Sequence, residues 1–178
     1  FLVRVGLPSG ALWLVPCGLA VLSAPWGYLA EELRRPYIYL IPDASWKRLV
    51  AASLVTAADL FLSYTVLMVV AMLLAWPGLS RLLAGLLALL AASWLAQGAL
   101  ALSSLLVPAW VGRWVRSLLQ SLVALAGLIP GAAAGWLVEV RGGGEVVGLA
   151  AGSLVTWLVG GLLMALASAF FQRAEMAE

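Results

Sequence analysis

Five apolar stretches, at about residues 8–29, 51–76, 82–107, 117–138 and 146–171, are each long enough to cross a bilayer. The hydrocarbon core is roughly 30 Å thick and takes about 20 helical residues to span. Nearly all the charge falls in the gaps between these stretches. Backbone amides in lipid have no water to bond, so a span must be a helix or a strand of a closed barrel. Uninterrupted runs such as residues 82–92 lack the alternation of a barrel strand. The expected fold is therefore all-α, an integral membrane helical bundle with about five transmembrane helices forming one domain over residues 1–178.

Composition removes the soluble alternative. The chain is 65% apolar and 10% charged, whereas a soluble domain is roughly half apolar and about a quarter charged. It opens at Phe1 inside an apolar stretch, and residues 1–30 offer only Arg4 ahead of a run too long for a signal peptide. That stretch reads as a helix that stays, and the chain as a piece of a longer protein.

The residue inventory also narrows the chemistry. There is no histidine, and the single Cys17 has no partner for a disulfide. The usual ligand sets for zinc, haem and iron–sulfur centres are missing, as are histidine-dependent acid–base and triad mechanisms. Neither a cofactor nor a catalytic centre is expected. The net charge of +2 is scattered among loops, which argues against nucleic acid as a partner.

Lys and Arg counted loop by loop give an orientation, because positive residues near span ends are held in the cytoplasm. One side carries Arg34, Arg35, Lys47, Arg48, Arg113, Arg116 and Arg173, seven in all; the other carries Arg4, Arg81 and Arg141. The 31–50 loop and the C-terminus are thus expected on the cytoplasmic face.

That loop, EELRRPYIYLIPDASWKRLV from Glu31 to Val50, is too structured for a simple connector. Pro36 and Pro42 bracket an apolar and aromatic run containing Tyr37, Tyr39 and Leu40, a patch that a solvated linker has no reason to present. Asp43 or Ser45 is placed to cap a short helix opened by Trp46, Lys47 and Arg48 that continues into the second span.

The segment RRPYIYLIPDASWKRLVAASL, Arg34 to Leu54, resembles the membrane-spanning permeases of type-2 ATP-binding-cassette (ABC) exporters, and within them a bacterial exporter family. Pro36, Tyr37, Leu40, Pro42, Ser45, Lys47 and Arg48 match the pattern, with Tyr39 inside the same aromatic patch. The resemblance implies a coupling helix that docks on a separate ATPase subunit, export across the bacterial inner membrane, and a homodimer or pseudo-dimer. Such permeases usually have six helices with both ends in the cytoplasm, so the chain is expected to be a C-terminal portion lacking one N-terminal helix. No GxxxxGK[ST] sequence is present, and hydrolysis would fall to the ATPase. A scaffold or assembly protein that uses the same loop as a docking patch fits the composition equally well.

Two further features concern the spans. Asp59 is the only acidic residue well inside one, and a carboxylate there costs about 3 kcal/mol on insertion scales. Thr56, Asp59 and Ser63 share a helix face. That face is expected to point into the bundle, as a polar path or as interhelical hydrogen bonding with Ser93, Gln97 or Gln120 as possible partners, or else to lie close enough to the cytoplasmic end to be wet. Gly127, Gly131 and Gly135 in the fourth span, and Gly148 and Gly152 in the fifth, recur at four-residue spacing and mark close helix packing, within the chain or between subunits. Pro130 within that face is expected to bend or break its helix, and Pro16 and Pro25 to do the same in the first span.

Overall fold

The computed structural model describes residues 11–23, 45–75, 78–107 and 112–175. All the regular structure in them is helical: α1 (Ala11–Ser23), α2 (Ser45–Ala75), α3 (Leu79–Leu106), α4 (Arg113–Val138), a π-helical turn (Glu139–Gly143) and α5 (Gly144–Glu175). Three stretches are long and apolar enough to cross a membrane, Ser53–Val70, Leu79–Leu106 and Ser117–Phe170. They mark a multi-pass membrane protein. The described part of α1 has 13 residues, fewer than the about 20 a span requires, so a count of five spans goes beyond these helices.

The longest stretch is not a straight rod. Gly142 at φ 90° and Gly144 at φ 73° lie in the left-handed region, which glycine enters without steric cost, and the chain reverses there. Gly131 then lies against Gly152, and Gly135 against Gly148. The partner number falls by four as the first rises by four, so α4 and α5 form an antiparallel hairpin.

Around this hairpin the size pattern is that of a bundle in lipid. Ten of the sixteen buried apolar residues described are alanine, whereas leucines and valines such as Leu62, Val66, Leu118 and Leu158 are exposed. Lipid offers no hydrophobic drive for association, so small residues that let backbones approach supply the contact. α3 lies at the centre. Residues 95–101 of α3 are buried on every side, and its Ala92, Ala96 and Ala99 meet Val21 of α1, Leu60 of α2, Ala124 of α4 and Leu163 of α5. The helix ends at Val107, which is extended at φ −92° and ψ 118°. Pro108 follows, and a proline excludes the helical conformation from the residue before it.

Of the expectations about prolines, a break is not found at Pro130 or Pro16. α4 runs through Pro130 without a break, and α1 runs through Pro16; Pro25 lies outside the described residues. Pro130 deprives the Ala126 carbonyl of its usual partner, but the helix is held on both sides of it. Gly127 packs on Leu95 of α3, and Gly131 and Gly135 pack on α5. The Pro130 ring itself is exposed.

Candidate functional site

The residues expected to form the coupling element lie at and before the start of α2, a single long helix. Pro36, Tyr37, Tyr39, Leu40 and Pro42 lie outside the described residues. Ser45 opens α2, Lys47 is exposed in its first turn, and Arg48 belongs to the same turn. From there 31 residues run as one helix, about 46 Å at 1.5 Å per residue. One turn inside this end, Val50 packs against Leu100 and Ala101 of α3 and Met164 and Ala167 of α5. The start of α2 thus packs on both α3 and α5.

The polar face of α2 points the other way from the expectation. Asp59 and Ser63 are exposed, and Thr56 is half-buried. The side of α2 that enters the bundle is formed by Ser53, Ala57 and Met68, and at 100° per residue Asp59 falls on the opposite side. Small and flexible residues can approach α3 closely, and they take the inner face; the carboxylate is left outside. Ser93, Gln97 and Gln120, considered as partners for Asp59, are buried in the interior instead.

The glycine faces meet within the chain. A Cβ on Gly135 would lie 2.9 Å from the Gly148 carbonyl oxygen, and one on Gly131 would lie 2.8 Å from that of Gly152 and collide with Thr156 Oγ1. The Gly152 carbonyl also accepts the Thr156 hydroxyl at 2.9 Å, so the seam is closed by backbone and a short polar side chain. Gly127 faces Leu95 of α3 instead. At the turn end of the hairpin, Arg81 at the start of α3 pairs with Glu145 at the start of α5, Nη2 to Oε2 3.1 Å. Among the described residues no group of three or more His, Cys, Asp or Glu could hold a metal ion.

Residues 9–175, nearly the whole chain, match the family described as "Putative ABC exporter". The chain belongs to that family. No curated protein and no solved structure matches it.

In this exporter-family chain, two features escaped sequence reasoning. Ser53 is fully buried and donates to Met164 Sδ at 3.8 Å; it lies on the α2 side opposite Asp59, so grouping polar residues around the carboxylate missed it. The Arg81–Glu145 pair joins residues far apart in sequence, and only the packing of α3 beside α5 brings them together.

The interior also holds polar atoms that have no partner among the described residues. Ser93 Oγ, Trp94 Nε1, both amide atoms of Gln97 and Gln120 Nε2 are buried with no hydrogen-bond partner. A buried group without a partner costs about 1 to 3 kcal/mol. Gln97→Met keeps the volume and removes both orphaned atoms, and is expected to raise stability by about 1 to 3 kcal/mol. Thermal unfolding in detergent checks this; a comparable loss of stability would show that the Gln97 amide holds the bundle together.

Proposed function

We propose that the chain is the membrane-spanning permease component of an ATP-driven exporter, moving its substrate outward when a separate ATPase subunit pushes on the 31–50 segment. The family match over residues 9–175 carries this reading. It is supported by the unbroken rod that leads from Ser45 into the bundle. The energy enters through contact at Pro36, Tyr37, Tyr39, Leu40, Pro42, Ser45, Lys47 and Arg48, and the chain needs no catalytic group of its own.

In this reading α1, α2, α3 and the two legs of the α4–α5 hairpin cross the bilayer five times. The Arg81–Glu145 pair supports the alternation, since it brings the second and fourth connections to one end of the bundle. The Lys and Arg bias then puts the 31–50 segment and the C-terminus on the cytoplasmic side of the inner membrane. Two such subunits, identical or similar, enclose the path, and Thr56, Asp59 and Ser63 serve as a polar lining or an interhelical bond.

The test is to isolate the intact protein from its native membrane. The reading expects an ATPase subunit to accompany it and ATP-dependent flux after reconstitution. A stable complex that contains no ATPase would overturn the reading in favour of a scaffold.

A further inference from the structure

We infer that Ser93, Trp94 and Gln97, midway along α3, form a binding position for an uncharged amide group of the transported solute, closed over by α2 in this structure. The inference rests on the permease reading and names the class of solute, an apolar molecule that carries neutral amide groups and no charge.

Every buried polar side chain described is a serine, a threonine or a glutamine, and none is charged. The hydroxyls of Ser103, Ser153 and Thr156 donate to carbonyls of their own helices, as such side chains commonly do inside a helix, and Ser53 donates to Met164 Sδ. Ser93 and Gln97 differ. Both are fully buried, and Ser93 Oγ and both amide atoms of Gln97 have no partner, as does the neighbouring Trp94 Nε1. Gln97 is nine residues from Leu106, the nearer end of a membrane-length helix, or about 13 Å. Bare polar groups so deep in the bundle weaken it, and departures of that kind are expected where function uses them.

At 100° per residue, Ser93, Gln97 and Trp94 fall within about 100° of arc, on the side of α3 that faces α2 and α5. Leu89, one turn before Ser93, packs on Met68 of α2. Beyond Gln97, Val50 of α2 packs together with Trp94 on Leu100, Ala101, Met164 and Ala167. Gln120 stands apart, because α4 meets the Ala92, Ala96 and Ala99 side of α3 through Ala124. The carboxamide of Gln97 presents a donor and an acceptor side by side. Its match is a second amide, which accepts from Nε2 and donates to Oε1, with Ser93 Oγ and Trp94 Nε1 beside it. A charged group would find no counter-charge among the buried residues described, and burying it unpaired is costly. The leucines, alanines and methionines around the ridge suit an apolar body. Since α2 packs on α3 both before and after the ridge, the solute enters when α2 moves off α3, and α2 is the helix that begins at Ser45, Lys47 and Arg48.

Thermal unfolding of the full-length protein in detergent tests the site with two probes. N-acetyl-trileucine amide is neutral, and free trileucine is charged at both ends. The blocked peptide is expected to raise the unfolding temperature in a saturable way, and the free peptide to leave it unchanged. Gln97→Met is expected to weaken the apparent affinity for the blocked peptide by about tenfold or more, the size of two lost hydrogen bonds, although the empty variant is itself the more stable protein. Gln120→Met removes an orphaned donor on the other side of α3 and is expected to keep the wild-type affinity. No saturable shift with the blocked peptide, an equal shift with the free one, undiminished affinity in Gln97→Met, or an equal loss in Gln120→Met would each overturn the inference. If the peptide fails to bind while an ATPase still copurifies, only this site falls. If it binds through Gln97 and no ATPase is found, the permease reading falls and the binding position stands.

Discussion

Reversing the charge at Lys47 and Arg48 together with Tyr39→Asp is expected to strip the ATPase from the purified protein while the helices remain in the membrane. Lys47 is exposed in the first turn of α2, so the change at this residue does not disturb the core. At a protein interface a buried aromatic and a basic contact are each worth about 2 to 4 kcal/mol when lost. Removing them together is expected to weaken docking by more than about a hundredfold. Pull-down of the ATPase and ATP-dependent flux should fail together, and membrane insertion should be unchanged. Undiminished recovery of the ATPase would show that the motor grips elsewhere.

Joint replacement of Gly131 and Gly135 by alanine is expected to open the α4–α5 hairpin, whereas Gly127→Ala is expected to be mild. All three glycines sit on one face of α4, but their neighbours differ in whether they can move. At Gly135 the new methyl group meets the Gly148 carbonyl oxygen at 2.9 Å, and at Gly131 the Gly152 carbonyl oxygen at 2.8 Å. These are backbone atoms, and they yield only if the two helices separate. At Gly127 the contact is Leu95 Cδ1 at 2.8 Å, the end of a side chain that can rotate. Overpacking typically costs 1 to 3 kcal/mol per site, which gives ~2 to 6 kcal/mol for the pair and below about 1 kcal/mol for Gly127→Ala. Unfolding in detergent with increasing denaturant measures both. Equal damage from all three positions would contradict the packing of this seam.

The features legible from sequence are those that depend on length and spacing along one helix. Long apolar runs predict membrane-length helices because the bilayer sets a minimum length, and the described α2, α3, α4 and α5 occupy those runs. The four-residue glycine spacing shows which faces of α4 and α5 allow close approach, and leaves open whether the partner is within the chain; the reversal at Gly142 and Gly144 is what turns the two faces together. The orientation of α2 was not legible. A helix apolar all round carries no moment to say which side is inward, and the rule that charge seeks the interior assigned Asp59 to the wrong face. Ser53, Ala57 and Met68 take the inner side through fit against neighbouring helices, a property of two surfaces at once. Pro130 shows the same limit, because α4 continues through it with the glycines on either side packed on Leu95 and on α5.

The proposed coupling depends on which side of the membrane the Glu31–Val50 segment occupies. Tyr39→Cys in the full-length protein lacking Cys17 can be exposed to a membrane-impermeant maleimide, first on intact cells and then on inside-out vesicles. Labelling confined to the inside-out vesicles is the predicted result. Labelling on intact cells would place the segment outside, beyond the reach of any cytoplasmic ATPase, and would contradict the account.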